Sequence, residues 1–246
     1  MTNSNLTYDN QGISVDCVVF GFDGSTLRVL LSHRWREGEG VKSFDCKLPG
    51  SLIADNEDLP GAAHRVIHDL MGARPVRLYA IDSFSDPQRV PKTDLRWINS
   101  YYHVALARVL TVVYFALVKL DSRLMAHTTR KGGEWAIVSD VEKLALDHNQ
   151  ILIAGFDHLA QQLRHEPVAF DLLPNEFTIR QLRNLYEVVL DIEMDSRNFR
   201  KKILSLSYII PLKKRESFVS HKPAKFFAFD EKLYKRSIER KITFLS

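Results

Sequence analysis

Two kinds of periodicity alternate along the first two thirds of the chain. Ile13–Phe20 is rich in β-branched residues, turn residues follow at 21–24, and Leu27–Leu31 resumes as a second apolar run, so we predict a β-hairpin. Residues 58–71 carry apolar side chains at helical spacing, and Gly72 follows where a helix C-terminus favours positive φ. Further strands are predicted at 76–84, 109–119 and 135–138, and further helices at 139–146 and 151–164. Strands with interspersed helices predict an α/β (α+β) domain.

The pattern changes in the last third of the chain. Thr178 and Gln181 fit a capping box, which predicts a helix beginning there, and Asp195 suits the N-cap of a second helix. Strand-like residues at 208–212 and 224–229 then flank a basic loop. Two short helices followed by a basic-tipped hairpin predict a winged helix-turn-helix domain.

The composition is that of a folded protein. The 246 residues, 45% of them hydrophobic, allow two modest domains, which we place at 1–166 and 167–246. The longest uncharged apolar run, Val109–Val118, is too short to span a bilayer, and the N-terminus lacks the features of a secretion signal. Cys17 and Cys46 cannot build a disulfide framework, and neither has a metal-ligating partner at a useful spacing. We therefore expect a cytoplasmic protein with no membrane segment, metal or cofactor.

The formal net charge of +4 conceals an asymmetry. Residues 1–166 have a net charge of −2, whereas residues 167–246 have a net charge of +6. Within residues 196–225, nine basic residues stand against one acidic residue, which gives +8 over thirty residues. Such a concentration attracts polyanions, of which the nucleic-acid backbone is the commonest in cells. On charge alone, a solvated basic face that binds nothing is an equal alternative.

The predicted secondary structure of this basic segment favours DNA as its binding partner. Phe199, Ile203 and Leu206 form the apolar face of the second predicted helix, so its Arg and Asn side chains remain outside to pair with guanine and adenine. Hairpin lysines would bind phosphates and contribute affinity. An RNA-binding module fits less well, because such modules present aromatics on a sheet or flexible arginine-rich segments. The predicted DNA-binding residues are Thr178, Arg180, Gln181, Ser196, Arg197, Asn198, Arg200, Lys201, Lys213, Lys214, Arg215 and Lys222.

The segment 47–72 resembles the signature of Nudix domains. That signature is Gly, five residues, Glu, seven residues, Arg-Glu, two residues, Glu-Glu, one residue and Gly. Glu57, Arg65 and Gly72 match in register, whereas Ser51 replaces the first signature Gly. The three helix carboxylates that hold Mg²⁺ against a diphosphate in active Nudix hydrolases are here Val66, Asp69 and Leu70. Because Mg²⁺ requires a near-octahedral array of oxygen ligands, we expect no catalytic residues; a pyrophosphohydrolase acting on ADP-ribose-like substrates is the alternative.

A second resemblance covers nearly the whole chain. The segments at 170–174 (FDLLP), 177–182 (FTIRQL) and 195–202 (DSRNFRKK) are similar to the winged helix domain of Nudix-related transcriptional regulators. The resemblance implies an N-terminal Nudix-like effector domain, a C-terminal DNA reader, and a homodimer that binds a palindromic operator. It also implies that the Nudix-like cleft, where hydrolysis has been lost, senses either ADP-ribose or a sugar.

The sequence favours a sugar or sugar phosphate over ADP-ribose as the effector. Loss of the carboxylate cluster makes a magnesium-bridged diphosphate less natural. The Arg-Asp-Pro-x-x-Arg stretch common in the ADP-ribose type is Ser85-Asp86-Pro87-Gln88-Arg89 here, within a polar loop at 85–97 that we expect to cover the site. A structural ion pair with Glu57 is the alternative role for Arg65. The expected effector-binding residues are Lys47, Glu57, Arg65, Asp69 and Arg89.

Overall fold

The computed structural model describes residues 7, 12–38, 41–216 and 223–243, without the side chains of residues 36–43 and 238–243. The strands are β1 (Ile13–Phe22), β2 (Leu27–Gly38), β3 (Val41–Lys47), β4 (Gly50–Leu52), β5 (Tyr79–Phe84), β6 (Leu110–Lys119), β7 (Gly133–Ile137), β8 (Phe177–Thr178), β9 (Ile209–Arg215) and β10 (Lys225–Phe229). The helices are α1 (Leu59–Met71), α2 (Lys92–Tyr102), α3 (Ser122–Arg130), α4 (His148–His165), α5 (Ala169–Leu172), α6 (Ile179–Leu190), α7 (Ser196–Leu204) and α8 (Glu231–Thr243). No helix in these ranges combines the length and apolar character needed to cross a membrane.

A mixed sheet forms the centre of the N-terminal part. Its strand order is β3-β2-β1-β6-β5, with β4 paired to β1 and β7 paired to β2. The predicted hairpin is present as the antiparallel pair β1–β2, in which Phe20 lies opposite Val29. β1 also pairs in parallel with β6 along its whole length, from Ile13 opposite Leu110 to Phe22 opposite Lys119. β1 is therefore the central strand, and both of its faces are covered.

The two faces of β1 serve different purposes. Val15, Cys17 and Val19 belong to the apolar cluster that α1 covers. On the other face, Phe20 and Phe22 belong to a second apolar cluster that includes α4 and the C-terminal helices. Gly155 lets α4 approach this face, because a Cβ there would lie 2.6 Å from a methyl carbon of Val18. Earlier on the same face, β1 carries two polar residues, Ser14 and Asp16.

Two predicted segments differ from the structure. The polar loop expected at 85–97 is interrupted by α2, whose apolar side Leu95, Ile98 and Tyr102 belongs to a small separate cluster. The helix expected at 139–146 is only a short 3₁₀ turn at Val138–Asp140. Asn149 instead binds this segment through its side chain, accepting from the Leu144 N–H at 2.8 Å and donating to the Glu142 carbonyl at 3.1 Å. These side-chain bonds compete with the backbone hydrogen bonds that a helix would need in this segment.

The C-terminal part has the predicted winged helix-turn-helix arrangement. Its elements follow in the order α5, β8, α6, α7, β9 and β10. The three strands form a sheet of order β8-β10-β9. The capping box at the start of α6 is complete, with both the Thr178 and the Gln181 side chains bonded to each other's backbone. Leu182 and Leu185 of α6 pack in the same apolar cluster as Phe20 and Phe22. The winged helix part is therefore docked on the central sheet.

Candidate functional site

A cavity of about 340 Å³ lies beside the polar start of β1. It is bounded by β1, β2, β4, α2 and the N-terminus of α4, and its volume is in the range of small-molecule sites. Its polar lining includes Asp16, Lys47, Arg89 and His148. Its aromatic lining consists of Trp35, Trp97, Tyr101 and Tyr102, together with His33. We refer to it below as the polar cavity.

A buried ionic network forms one side of the polar cavity. Arg89 is 3% exposed and donates two parallel hydrogen bonds, both 2.8 Å long, to the carboxylate of Asp147. The same guanidinium lies 3.7 Å from an oxygen of Asp16. Gly50 borders this carboxylate so closely that a Cβ would lie 1.9 Å from it, so β4 can pair with β1 here only without a side chain. The network therefore places the Asp16 carboxylate beside the buried Arg89 guanidinium.

His148 and Lys47 complete the polar side. The Leu48 N–H donates to Nδ1 of His148 at 2.9 Å, so that nitrogen is an acceptor and the proton of the neutral ring is on Nε2. Nε2 is buried, lies 3.6 Å from Asp16, and has no hydrogen-bond partner among the described residues. Lys47 donates to the carbonyls of Leu48 and Gly50 at 3.1 and 2.9 Å. Burial lowers the pKa of the Lys47 ammonium, although Asp16 opposes this shift.

The buried imidazole makes stability depend on pH. Burial, only partly offset by Asp16, lowers the pKa of His148 from 6.5 to about 4. The unfolded chain therefore binds this proton at a higher pH than the folded chain, so stability is lost as the pH falls from about 6.5 towards 4. Between pH 7 and pH 5 we expect wild type to lose about 2 kcal/mol more than His148→Gln, whose amide can still accept from Leu48. Urea unfolding at the two pH values measures this difference, and equal losses in both proteins would contradict the burial of a neutral ring.

The other side of the polar cavity is aromatic and also anchored by an ionic cluster. Arg34 is 1% exposed, donates to both oxygens of Asp45 at 2.7 and 2.6 Å, and lies 2.9 Å from Asp94. Its guanidinium lies 5.1 Å from the ring centre of Trp97, which stacks on Tyr101 at 5.0 Å with an angle of 16° between the rings. This arrangement fixes flat apolar surfaces at the edge of a charged cavity, which suits a ligand with both a ring and anionic groups.

The structure separates the five expected effector-binding residues. Lys47 and Arg89 line the polar cavity, whereas Glu57, Arg65 and Asp69 do not. Arg65 donates to Glu57, with Nε 3.0 Å from one carboxylate oxygen, so the ion pair expected as the alternative is present. Arg65 also donates at 3.4 Å to the hydroxyl of Ser51, which does line the cavity. Asp69 is exposed on α1.

Several cavity residues were not singled out from the sequence. Asp16 and Arg34 lie in strands 43 and 25 residues before α1, and most of the aromatic lining comes from α2, which begins inside the predicted loop at 85–97. The usable signal was Asp16 itself, because a carboxylate inside a β-branched run requires a buried partner.

The donor set at the Nudix signature does not fit Mg²⁺. Val66 is 7% exposed and packs in the apolar cluster under α1, and Leu70 packs against the same cluster. Only Asp69 retains an oxygen ligand on this face of the helix. Mg²⁺ requires several oxygen ligands held near octahedral geometry, so these residues do not form its usual site.

The second candidate site is the exposed face of α7. Asp195 caps the helix by accepting from the Asn198 N–H at 2.8 Å. Ile203 is buried, and Phe199 packs edge-on against Tyr186 with ring centres 5.9 Å apart. These contacts fix which side of the short helix faces the protein. The outward side is mainly polar: Ser196, Arg197, Asn198, Arg200 and Lys201 are exposed, and the apolar Leu204 in the last turn is exposed as well.

The remaining predicted DNA-binding residues have mixed positions. Lys213, Lys214 and Arg215 are exposed on β9, although Lys214 is already paired with Glu176 and lies 5.4 Å from the Phe226 ring centre. Lys222 lies outside the described residues.

The three residues predicted at the start of α6 also differ from one another. Thr178 is 2% exposed, and its hydroxyl accepts from the Gln181 N–H, so the capping box already uses this hydroxyl. Gln181 is half-buried. Arg180 is 59% exposed and lies 3.9 Å from Glu216. Of these three side chains, Arg180 alone is mainly open to solvent.

The C-terminal part of the chain matches a known family. Residues 169–229 match the model of the NrtR DNA-binding winged helix domain. Over 226 residues, the chain is 25% identical to the ADPR responsive transcriptional repressor NtrR of Acinetobacter baylyi, a match covering 90% of this chain and 83% of the relative.

Two solved structures share the fold of nearly the whole chain. Shewanella oneidensis NrtR, in a crystal structure with a 27mer DNA, has a TM-score of 0.69 at 20% identity and covers 92% of this chain and 96% of its own. A MutT/nudix family protein from Enterococcus faecalis has a TM-score of 0.62 at 22% identity, covering 91% of this chain and 89% of its own. The fold is thus a Nudix-like domain joined to a winged helix DNA-binding domain. Both parts of the chain are therefore similar to those of Nudix-related transcriptional regulators.

Proposed function

We propose that this protein is a cytoplasmic, ligand-responsive transcriptional regulator that binds operator DNA as a homodimer. The observation that carries the proposal is α7, a capped and packed helix that presents a row of polar and basic side chains, including Arg197, Asn198 and Arg200, to solvent. Such a helix can enter the major groove, where Arg pairs with guanine and Asn with adenine. Exposed basic residues on β9 provide phosphate contacts beside it. Two such helices related by a two-fold axis require a palindromic operator.

We propose the polar cavity as the effector site and an ADP-ribose-type molecule as its ligand. Flat rings at Trp97 and Tyr101 can stack on a base, buried cations nearby can attract a diphosphate, and Asp16 can accept from sugar hydroxyls. The description of the Acinetobacter baylyi relative as ADPR responsive supports this choice. A sugar or sugar phosphate, favoured by the sequence, would use the polar side without the aromatic wall.

The geometry provides a route between the two sites. β1 carries Asp16 at the polar cavity and, further along the same face, Phe20 and Phe22 in the cluster that holds the winged helix part. α4 likewise places His148 in the cavity at its N-terminus, while its later turns pack in that cluster. A ligand that shifts either element changes the support of the DNA-reading part. Coupling of this kind is reciprocal, so operator DNA changes effector affinity by the same factor.

We infer that the Nudix-like domain, placed at residues 1–166, senses its ligand without hydrolysing it. The apolar Val66 and Leu70 in place of signature carboxylates support this inference. The hydrolase alternative requires Mg²⁺-dependent cleavage of ADP-ribose by water into AMP and ribose 5-phosphate, at a rate that falls in Asp69→Ala. Activity that depends on Asp69 in this way would restore the enzymatic alternative.

Operator selection followed by gel shifts tests the regulator. Genomic fragments retained by the purified protein identify a site, and its shift is repeated with ADP-ribose and a panel of pentoses, hexoses and their phosphates. A palindromic site whose shift responds to one compound supports the proposal. Absence of sequence-selective binding at every salt concentration would refute it.

Two exposed tyrosines provide a matched test of the effector site. Tyr101 lines the polar cavity and is 45% exposed, whereas Tyr79, on β5, is 55% exposed and does not line it. We expect Tyr101→Ala to weaken ADP-ribose binding about 2- to 10-fold by loss of ring stacking, with operator affinity unchanged. Tyr79→Ala should bind as wild type. Titration calorimetry measures both, and equal affinities in the two variants would place the ligand elsewhere.

A further inference from the structure

Three metal-ligating side chains meet on one face of the central sheet. His33 of β2 lies directly opposite Cys46 of β3 in the antiparallel register. Glu134 of β7 lies opposite Leu31, two residues before His33 and therefore on the same face of β2. The sequence spacing hides this group, because its members lie on three strands and Cys46 and Glu134 are 88 residues apart. The sheet register, not the sequence spacing, brings them together.

Two contacts of Glu134 with the other residues have separations close to those of a coordination shell. Nε2 of His33 lies 3.3 Å from one Glu134 oxygen, and Sγ of Cys46 lies 3.6 Å from the other. One ligand atom from each residue lies within 4.8 Å of the other two. Bonds of about 2.0–2.3 Å to a tetrahedral Zn²⁺ place neighbouring ligand atoms about 3.4–3.6 Å apart. We propose that His33, Cys46 and Glu134 bind a Zn²⁺ ion.

The chemistry of the donors selects this class of metal. A thiolate, an imidazole and a carboxylate are the ligands of a borderline-soft divalent ion, and they do not suit Mg²⁺ or Ca²⁺. Three protein ligands leave one position of a tetrahedron open, as in zinc sites that hold water or an exogenous ligand. The side chains of His33 and Glu134 are 27% and 45% exposed, so an ion can enter without rearrangement of the sheet.

The surroundings hold the ligands in place. The His33 ring packs edge-on against Phe44, with ring centres 4.8 Å apart, which restricts its rotation. The Cys46 carbonyl accepts from the Ala145 N–H at 2.8 Å, which anchors β3 at this residue. A bound ion would join β2, β3 and β7 at the edge of the polar cavity, which His33 also lines. Leu30 and Trp135 occupy the opposite face with α1, so the site is distinct from the Nudix signature helix.

Cobalt(II) provides a spectroscopic test on the full chain. We expect chelator-treated protein to bind one Co²⁺ with a thiolate-to-cobalt charge-transfer band that added Zn²⁺ abolishes. Cys46→Ser should lose the band, and His33→Gln and Glu134→Gln should weaken binding at least 10-fold. The matched control is Cys17→Ala, which removes the fully buried cysteine on the α1 face and should keep the band.

Thermal unfolding provides a second measurement that does not depend on the thiol band. Zn²⁺ should raise the unfolding temperature of wild type and Cys17→Ala but not that of Cys46→Ser or His33→Gln. The reason is that an ion stabilises the folded state only by binding to it, and binding requires all three ligands. A charge-transfer band that persists in Cys46→Ser would overturn the proposal. Its absence in wild type, or equal Zn²⁺ stabilisation in all four proteins, would also overturn it.

Discussion

Replacing both Arg197 and Asn198 by alanine is expected to abolish operator preference while leaving the fold intact. Both side chains are exposed on α7, and the core contacts of that helix come from Phe199 and Ile203. A good bidentate contact to a base discriminates by about 1–3 kcal/mol, so each loss lowers the specificity ratio about 5- to 150-fold. Gel-shift competition between operator and scrambled DNA measures the ratio directly.

Two control variants distinguish the loss of sequence preference from the loss of a positive charge. Arg130→Ala removes an exposed arginine of α3, in the N-terminal part, and should leave both affinity and preference unchanged. Lys214→Ala on β9 should weaken binding to all sequences and reduce its salt dependence, because a phosphate contact carries no sequence information. Operator preference that survives in Arg197→Ala and in Asn198→Ala would exclude α7 as the recognition helix.

Replacing Arg89 by methionine is expected to lower the free energy of unfolding by about 3–5 kcal/mol. The guanidinium is 3% exposed and is bonded to both oxygens of Asp147, which is 8% exposed, with Asp16 3.7 Å away. Methionine fills much of the space but leaves the two buried carboxylates without their cation. Urea unfolding at neutral pH measures the loss.

A surface pair of similar geometry is the matched control. Arg74 contacts both oxygens of Asp121 at 3.2 and 2.9 Å, but the two side chains are 38% and 50% exposed. Solvent-exposed pairs are worth about 0–1 kcal/mol, so Arg74→Met should cost far less than Arg89→Met. Adding Asp147→Asn to Arg89→Met should recover part of the stability, because it removes one uncompensated charge. Similar losses in the two single variants would show that water reaches the Arg89 network.

The features predictable from the sequence are those set by nearby residues. The capping box at Thr178, the N-cap at Asp195 and the hairpin from β1 to β2 depend on residues within a few positions, and all three are present. The segment at 139–146 is not helical because Asn149 forms hydrogen bonds with its backbone. That competition between side chain and backbone is invisible to a hydrophobic pattern.

The polar cavity depends on contacts between distant residues. Arg89 meets Asp147 across 58 positions, and the Leu48 N–H meets His148 across 100. Lys47 and Arg89 are predictable from the sequence because they lie within or near recognisable motifs. Glu57, Arg65 and Asp69 are predicted to lie with them because the Nudix signature groups these residues in sequence. In the structure, α1 carries Arg65 and Asp69 and covers the face of β1 opposite Asp16, and Glu57 lies just before this helix, so these three do not line the cavity.

The apolar cluster shared by the central sheet and the winged helix part limits how such a regulator can be rebuilt. Phe20 and Phe22 on one side, and Phe177, Leu182 and Leu185 on the other, are buried in one continuous cluster. Cutting the chain at 166/167 would uncover apolar surface on both pieces, and surfaces of that kind promote aggregation. The N-terminal and C-terminal parts therefore cannot be exchanged as independent domains. A new sensor grafted onto this DNA reader would have to reproduce the apolar side of the sheet before its ligand chemistry could matter.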